Sequence, residues 1–115
     1  MTLDEKLVEA VSPVVATCRP ASYLPAPGEE PEEYCTYNRA ESPRVHSAGA
    51  PRRLVVLYQL HYYRRDRANA APTLARLKHA IFASWFTFPS VTDASDADGQ
   101  HWVLEFEGSE VVRYG

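Results

Sequence analysis

Residues 52–65 read RRLVVLYQLHYYRR, and this stretch decides the fold. It is rich in β-branched and aromatic residues and contains neither Gly nor Pro, which is typical of a strand. At period two, the even positions from Leu54 to Tyr62 are all apolar or aromatic, whereas the other face turns polar from Gln59 onward. At about 3.3 Å per residue, such a strand would cross a small domain. We therefore expect a central strand with an arginine pair at each end.

Length and composition indicate a single domain over residues 1–115, because 115 residues with 45% hydrophobic and 23% charged side chains suit one core. No apolar run of about 18 residues is present, so we expect no membrane span. The opening residues MTLDEK lack the basic and apolar succession of a secretion signal, so we expect synthesis in a cytoplasm. Cys18 and Cys35 are then expected to be free thiols.

The N-terminal segment has the pattern of an amphipathic helix. Thr2 and Glu5 have the spacing of a capping box, in which each side chain binds a backbone N–H that the first turn leaves unpaired. Leu3, Leu7, Ala10 and Val11 fall on one helical face. Pro13 disfavours further helix, so the helix is expected to stop or kink there.

A second helix is expected after residue 69. Leu74, Leu77, Ile81 and Trp85 step by three, four and four residues, which predicts a stripe facing the core, widened by Ala70 and Phe82.

Three shorter strands complete the expected sheet, at residues 34–38, around residues 90–92 and at residues 101–107. Residues 19–33 are rich in Pro and Glu and predict an exposed acidic loop, and residues 41–51 predict a mobile loop. The predicted order is helix, strand, strand, helix, strand, strand. The expected fold class is α+β, with a four-stranded, mainly antiparallel sheet and two helices packed on it.

Charge is segregated along the chain, with net charges of −5 over residues 1–38, +7 over 39–78 and −5 over 79–115. The division indicates either ordinary solvated faces or a basic surface that meets an acidic surface of a second copy. The candidate interface residues are Arg64, Arg65 and Arg67 on the basic side, with Asp96, Asp98, Glu105 and Glu107 on the acidic side. The alternative is a nucleic-acid-binding module that uses the basic region 52–67, although the acidic flanks would repel phosphate.

The sequence shows no Gly-rich phosphate loop, nucleophile elbow, Cys-x-x-Cys or His-Glu-x-x-His. Asp96, Asp98, Gly99 and Glu105 match four positions of a calcium-binding loop, but its first ligand position holds Ala94 and a strand pattern follows. An acidic hairpin turn is the simpler interpretation. We expect no enzyme, no cofactor and no metal; a small enzyme with a pocket at His61 and Tyr63 is the remaining catalytic alternative.

Several patches resemble one protein family. They are MTLDEKL at residues 1–7, EYCTYN at 33–38, LHYY at 60–63, FTFPSVTD at 86–93 and DADGQHW at 96–102. These patches look like the small head–tail joining proteins of long-tailed phages and prophages, of the tail-terminator or tail-completion type. The resemblance consists of packing and turn residues, and the acidic loop 19–33 and the basic turn 64–67 depart from the family.

The resemblance implies a virion structural protein of the phage neck or tail end, made in the bacterial host cytoplasm. Proteins of this type form a ring, commonly a hexamer, that ends the tail tube and joins it to the head. The expected partners are further copies of the chain, tail-tube proteins and neck or connector proteins, with no membrane and no sequence-specific nucleic acid. A head-to-tail ring needs two different complementary patches on each subunit, which segregated charge could supply.

Overall fold

The central strand occupies the place that the sequence predicted. The computed structural model describes the backbone of residues 1–47 and 50–111 and the side chains of residues 1–41 and 54–110. The strands are β1 (Cys18–Pro20), β2 (Glu33–Ser47), β3 (Ala50–Arg64), β4 (Ser90–Asp93) and β5 (Gln100–Val111), and the helices are α1 (Leu3–Val11) and α2 (Ala71–Ala83). The sheet order is β1-β2-β3-β5-β4, so β3 is the middle strand and pairs with β2 on one side and β5 on the other.

The predicted four-stranded, mainly antiparallel sheet is wrong. The sheet has five strands and is mixed, because β1 runs parallel to β2 while the other pairs are antiparallel. The chain order is helix, three strands, helix and two strands. β1 has three residues, ends at Pro20 and shows no apolar alternation, so nothing local marks it as a strand. Its pairing depends on hydrogen bonds to distant residues, such as Cys35 N–H to the Thr17 carbonyl at 2.8 Å.

Two loop predictions also change. Residues 19 and 20 belong to β1 and residue 33 begins β2, so the acidic connection is residues 21–32. The mobile loop predicted at residues 41–51 is wrong, because β2 continues to Ser47 and β3 begins at Ala50, with register shifts between Pro43 and His46. Proline can lie in a strand beside such an irregularity, where no ladder donor is needed.

One face of the sheet carries the hydrophobic core. The even positions of β3 from Val56 to Tyr62 are almost completely buried, as are Leu104 and Phe106 of β5. Both helices cover this face, with Leu3, Leu7 and Val11 from α1 and Leu74, Leu77 and Ile81 from α2 in the same core. The capping box of Thr2 and Glu5 is present, as predicted.

Asp4 joins α1 to the sheet. Its Oδ1 accepts a hydrogen bond from the Tyr58 hydroxyl at 2.6 Å and one from Arg39 Nη1 at 2.8 Å. Burial of the Tyr58 ring, and then its hydrogen bond to the Asp4 carboxylate, raise the pKa of the Tyr58 hydroxyl. The first turn of α1 is therefore fixed to both β2 and β3.

The close approach of Phe86 to β5 explains a glycine. A Cβ on Gly108 would lie 2.8 Å from Phe86 Cε1 and 3.3 Å from Leu3 Cδ2. Only a residue without a side chain lets this ring pack against the strand.

The predicted core stripe of the second helix is right for its first three residues and wrong at its end. Leu74, Leu77 and Ile81 are buried, but Phe82 is 56% exposed and Trp85 is 92% exposed. α2 ends at Ala83, and Trp85 has a positive φ of 73°. Helical spacing therefore no longer applies at residue 85, and the turn directs the indole into solvent.

Candidate assembly surfaces

The second face of the sheet is not covered by a helix among the residues that the structure describes. We call it the open sheet face and define it on β3 by Leu57, Gln59, His61 and Tyr63, which alternate with the buried positions. Their register partners on β5 are Glu107, Glu105, Val103 and His101. Their partners on β2 are Ala40, Asn38, Thr36 and Tyr34. Among the large apolar residues of the open sheet face, Leu57 is the most exposed, at 43%.

One end of the open sheet face carries stacked rings. The Tyr34 and Tyr63 rings lie 4.8 Å apart between centroids, and the Tyr63 and His101 rings lie 4.4 Å apart, both nearly parallel. Tyr23 contacts the outer side of Tyr34 in an edge-on arrangement. Because the faces of these rings pack against one another, the rings do not form a flat platform on which a nucleobase could stack.

Two imidazoles continue this stack. His61 Nδ1 lies 2.8 Å from His101 Nε2, and His61 Nε2 lies 3.1 Å from Asn38 Oδ1. Burial lowers the pKa of His61, and the neighbouring His101 lowers it further. Burial also lowers the pKa of His101, although the charge of Asp96 opposes that shift. Both lowered pKa values favour the neutral form of the pair, in which one ring donates and the other accepts.

A cavity of about 370 Å³ lies beside the stacked rings. Tyr34, Tyr63 and His101 line one wall, and the rest of the lining includes Glu30, Arg64, Arg65, Asp96 and Asp98. The structure thus brings two of the predicted basic residues and two of the predicted acidic residues together within one chain.

The arginines of the basic turn have partners in their own chain. Arg64 Nε donates to Asp66 Oδ1 at 2.7 Å, and Arg65 Nη1 donates to the Glu30 carbonyl at 3.4 Å. Arg67 Nη2 donates to the carbonyls of Asp96 at 2.6 Å and Ala97 at 3.1 Å. Arg67 therefore holds the turn before β5 in place.

Glu105 and Glu107 lie apart from this group. They are register partners of Gln59 and Leu57 in the middle of the open sheet face, beside a shallow groove of about 420 Å³ that Leu57 and Thr87 also line. The seven predicted interface residues therefore form two separate surfaces, one at the basic turn and one along β5.

The acidic turn has the structure of a hairpin. Asp96 and Gly99 form an isolated antiparallel bridge, and Asp98 N–H donates to Asp96 Oδ1 at 2.9 Å. β5 begins at Gln100, where a calcium-binding loop would lead into a helix. Among the described residues, no group of three or more His, Cys, Asp or Glu side chains is placed to hold a metal ion.

Both cysteines are buried free thiols, in register with each other across β1 and β2. Burial raises the pKa of the Cys18 thiol to about 12. Burial also raises the pKa of Cys35, with smaller contributions from Cys18 and Glu33. Neither thiol has the lowered pKa of a nucleophile.

The sequence did not predict one surface, which we call the aromatic corner: His79, Phe82, Trp85 and Phe88. All four side chains are exposed, and the Phe88 ring makes edge-on contacts with Phe82 at 5.7 Å and with His79 at 6.0 Å. Trp85 lies beside Met1, Lys6 and Glu9 of the N-terminal segment, on the side of the sheet that the helices cover. Phe82 comes directly after Ile81 and so points to a different side of the helix; this offset is the sequence signal that the prediction of a widened core stripe overlooked.

No known protein-family model matches this chain, and no curated protein matches it. Neither helix in the described part of the chain is long and apolar enough to cross a membrane.

Proposed function

We propose that this chain is a self-assembling structural subunit of a phage neck or tail end, whose ring ends the tail tube and joins it to the head. The observation that carries the proposal is the asymmetry of the two-layer fold. Helices and an exposed aromatic corner lie on one side of the sheet, and the open sheet face with its carboxylates lies on the other. When two different surfaces of one subunit complement each other, the interface is heterologous, and such head-to-tail contacts give closed rings when the rotation between subunits closes.

The polar groups that the small-enzyme alternative would use have structural surroundings. His61 and His101 bind each other, and the thiols of Cys18 and Cys35 are buried with raised pKa values. These arrangements favour a binding and assembly role over the small-enzyme alternative.

The nucleic-acid alternative has weaker support. Arg64 and Arg67 bind groups of their own chain, and both lie near the carboxylates of the acidic turn, which would repel phosphate. The side chains of Arg52 and Arg53 lie outside the described residues. A salt-sensitive shift of labelled duplex DNA by the purified protein would favour this alternative over assembly.

Deletion of the gene from the phage or prophage genome that encodes the chain tests the proposal. We expect separate heads and tails, with tail tubes of abnormal length, in negative-stain electron microscopy. A plasmid copy of the gene should restore complete particles. Complete, infectious particles without the gene would overturn the proposal.

A further inference from the structure

We infer that the aromatic corner of one copy docks on the open sheet face of a second copy, over Leu57 and beside Glu105. The inference rests on the proposed function, because it names the contact through which the subunits would assemble.

The aromatic corner has the composition of a binding anchor. Trp85 is 92% exposed, and Phe82 and Phe88, each three residues away along the chain and in contact with each other, are more than half exposed. Aromatic side chains, Trp above all, supply much of the binding energy in protein interfaces, and grouped exposed apolar residues mark such sites on soluble proteins. The positive φ of Trp85 holds the indole away from its own core. The turn therefore presents the ring to a partner.

The open sheet face offers a matching apolar surface. The groove around Leu57 is flanked by Thr87 and by Glu105, which is exposed. Leu57 has apolar Ala40 beside it on β2 and Glu107 beside it on β5, so this end of the face is apolar on its β2 side and acidic on its β5 side. When an aromatic ring of the partner lies over Leu57, basic side chains beside that ring can reach the carboxylates of β5.

Charge identifies the partner as a second copy. Residues 68–92, which contain α2 and the aromatic corner, include two basic side chains (Arg76 and Lys78) and no carboxylate. Residues 93–110 include neither Lys nor Arg, and two of their carboxylates, Glu105 and Glu107, lie on the open sheet face. Arg76 is exposed on the same helix as Phe82, and near Trp85 the charges of Lys6 and Glu9 oppose each other. A basic aromatic surface and an acidic apolar surface on one chain complement each other between copies.

The two surfaces lie on opposite sides of the sheet, so the contact is heterologous. The helix layer of one copy would cover the open sheet face of the next. The sheet of that second copy would then lie between two helix layers. Aromatic burial would supply affinity, while the exposed charge pairs would set orientation, since such pairs contribute little free energy.

A mixing experiment tests this geometry with two variants. The corner variant carries Phe82→Ala and Trp85→Ala, and the face variant carries Leu57→Ser and Glu105→Lys. In sedimentation velocity, each variant alone should self-associate at least roughly thirtyfold more weakly than the natural chain. Loss of a single hot-spot side chain weakens binding by this factor. An equimolar mixture should form a one-to-one dimer and nothing larger, because one intact corner then meets one intact face.

The matched control is Leu24→Ala. Leu24 is 87% exposed in the acidic connection, so this variant removes a comparable apolar side chain away from both surfaces. It should self-associate like the natural chain. Circular dichroism and melting temperatures of all variants identify any loss of fold.

A photocrosslinking amino acid in place of Trp85 covers the case of weak association. At high protein concentration, crosslinks between copies should map to peptides of β3 and β5 around residues 57 and 105. Crosslinks to another surface, intramolecular crosslinks alone, or a mixture of variants that stays monomeric while the natural chain assembles would overturn the inference.

Gene deletion separates this inference from the proposed function. If deletion blocks particle completion but the corner variant still completes particles, the contact is wrong and the function stands. If deletion leaves complete particles, the function is wrong whatever the crosslinks show.

Discussion

His61 Nδ1 lies 2.8 Å from His101 Nε2, and the two residues come from neighbouring strands, β3 and β5. Two protonated imidazoles at this distance would repel each other, and burial already lowers the pKa of both rings. Asp96 is the charged group that opposes the shift at His101, and Asn38 binds the far nitrogen of His61.

The pair should make folding stability depend on pH. Because the folded pKa values lie below the ordinary value near 6.5, the unfolded chain binds more protons, and stability falls as pH drops from about 7 toward the lowered pKa values. Urea unfolding at a series of pH values measures this slope. The double variant His61→Gln and His101→Gln should flatten the slope in that window, and an unchanged slope would assign it to other groups.

The core of α2 should be sensitive where its stripe is buried and tolerant where it is exposed. Leu77→Ala or Ile81→Ala should lower the free energy of unfolding by about 2–5 kcal/mol, because both side chains are completely buried. Phe82→Ala on the same helix should cost less than about 1 kcal/mol in urea unfolding, since its ring is half exposed. Equal losses at Ile81 and Phe82 would contradict the observed rotation of the helix.

The link between α1 and the sheet through Asp4 should contribute to stability. Asp4→Ala would leave the Tyr58 hydroxyl and Arg39 without their shared acceptor, at a cost of about 1–3 kcal/mol. Glu9→Ala, an exposed change on the same helix, is the control. In a double-mutant cycle with Tyr58→Phe, the two losses should not add. Full additivity would show that the hydrogen bond contributes nothing.

The two thiols should be unreactive in the folded protein. Cys18 and Cys35 are buried, and their raised pKa values leave almost no thiolate at neutral pH. Ellman's reagent should label both only after unfolding in urea. Leu24→Cys places a thiol on an exposed site and should react at once. Rapid labelling of the natural chain without denaturant would contradict the burial of β1.

Charge reversal at the basic turn tests the interface predicted from charge segregation. If the basic turn forms that interface, Arg64→Glu with Arg65→Glu should leave the fold intact but abolish ring formation and tail completion. Asp96→Arg with Asp98→Arg on the same chain should restore part of the assembly if those carboxylates are the partners. Both sets line one cavity within a chain, so urea unfolding must accompany the assembly measurement. Unchanged tail completion in the first variant would show that the charged residues at this turn form only a solvated surface.

The sequence by itself determined the features that depend on interactions between residues close together in the chain. The alternation of residues 54–62 predicted both the middle strand and its buried face, and the spacing of Thr2 and Glu5 predicted the cap of α1. The stripe of Leu74, Leu77 and Ile81 predicted the inner side of α2. Each depends on residues a few positions apart, so a reader of the sequence can see all the interacting groups.

Tertiary structure decided the features that depend on distant residues. β1 exists because its backbone finds β2 in parallel, and no pattern within three residues encodes that pairing. The stack of Tyr34, Tyr63 and His101 comes from three strands whose register only the assembled sheet sets. Trp85 fitted the helical spacing, but the helix ended two residues earlier, and the turn placed the indole in water. Periodicity predicts which side chains share a face only while the backbone keeps that period, and contacts elsewhere in the fold decide where the period ends.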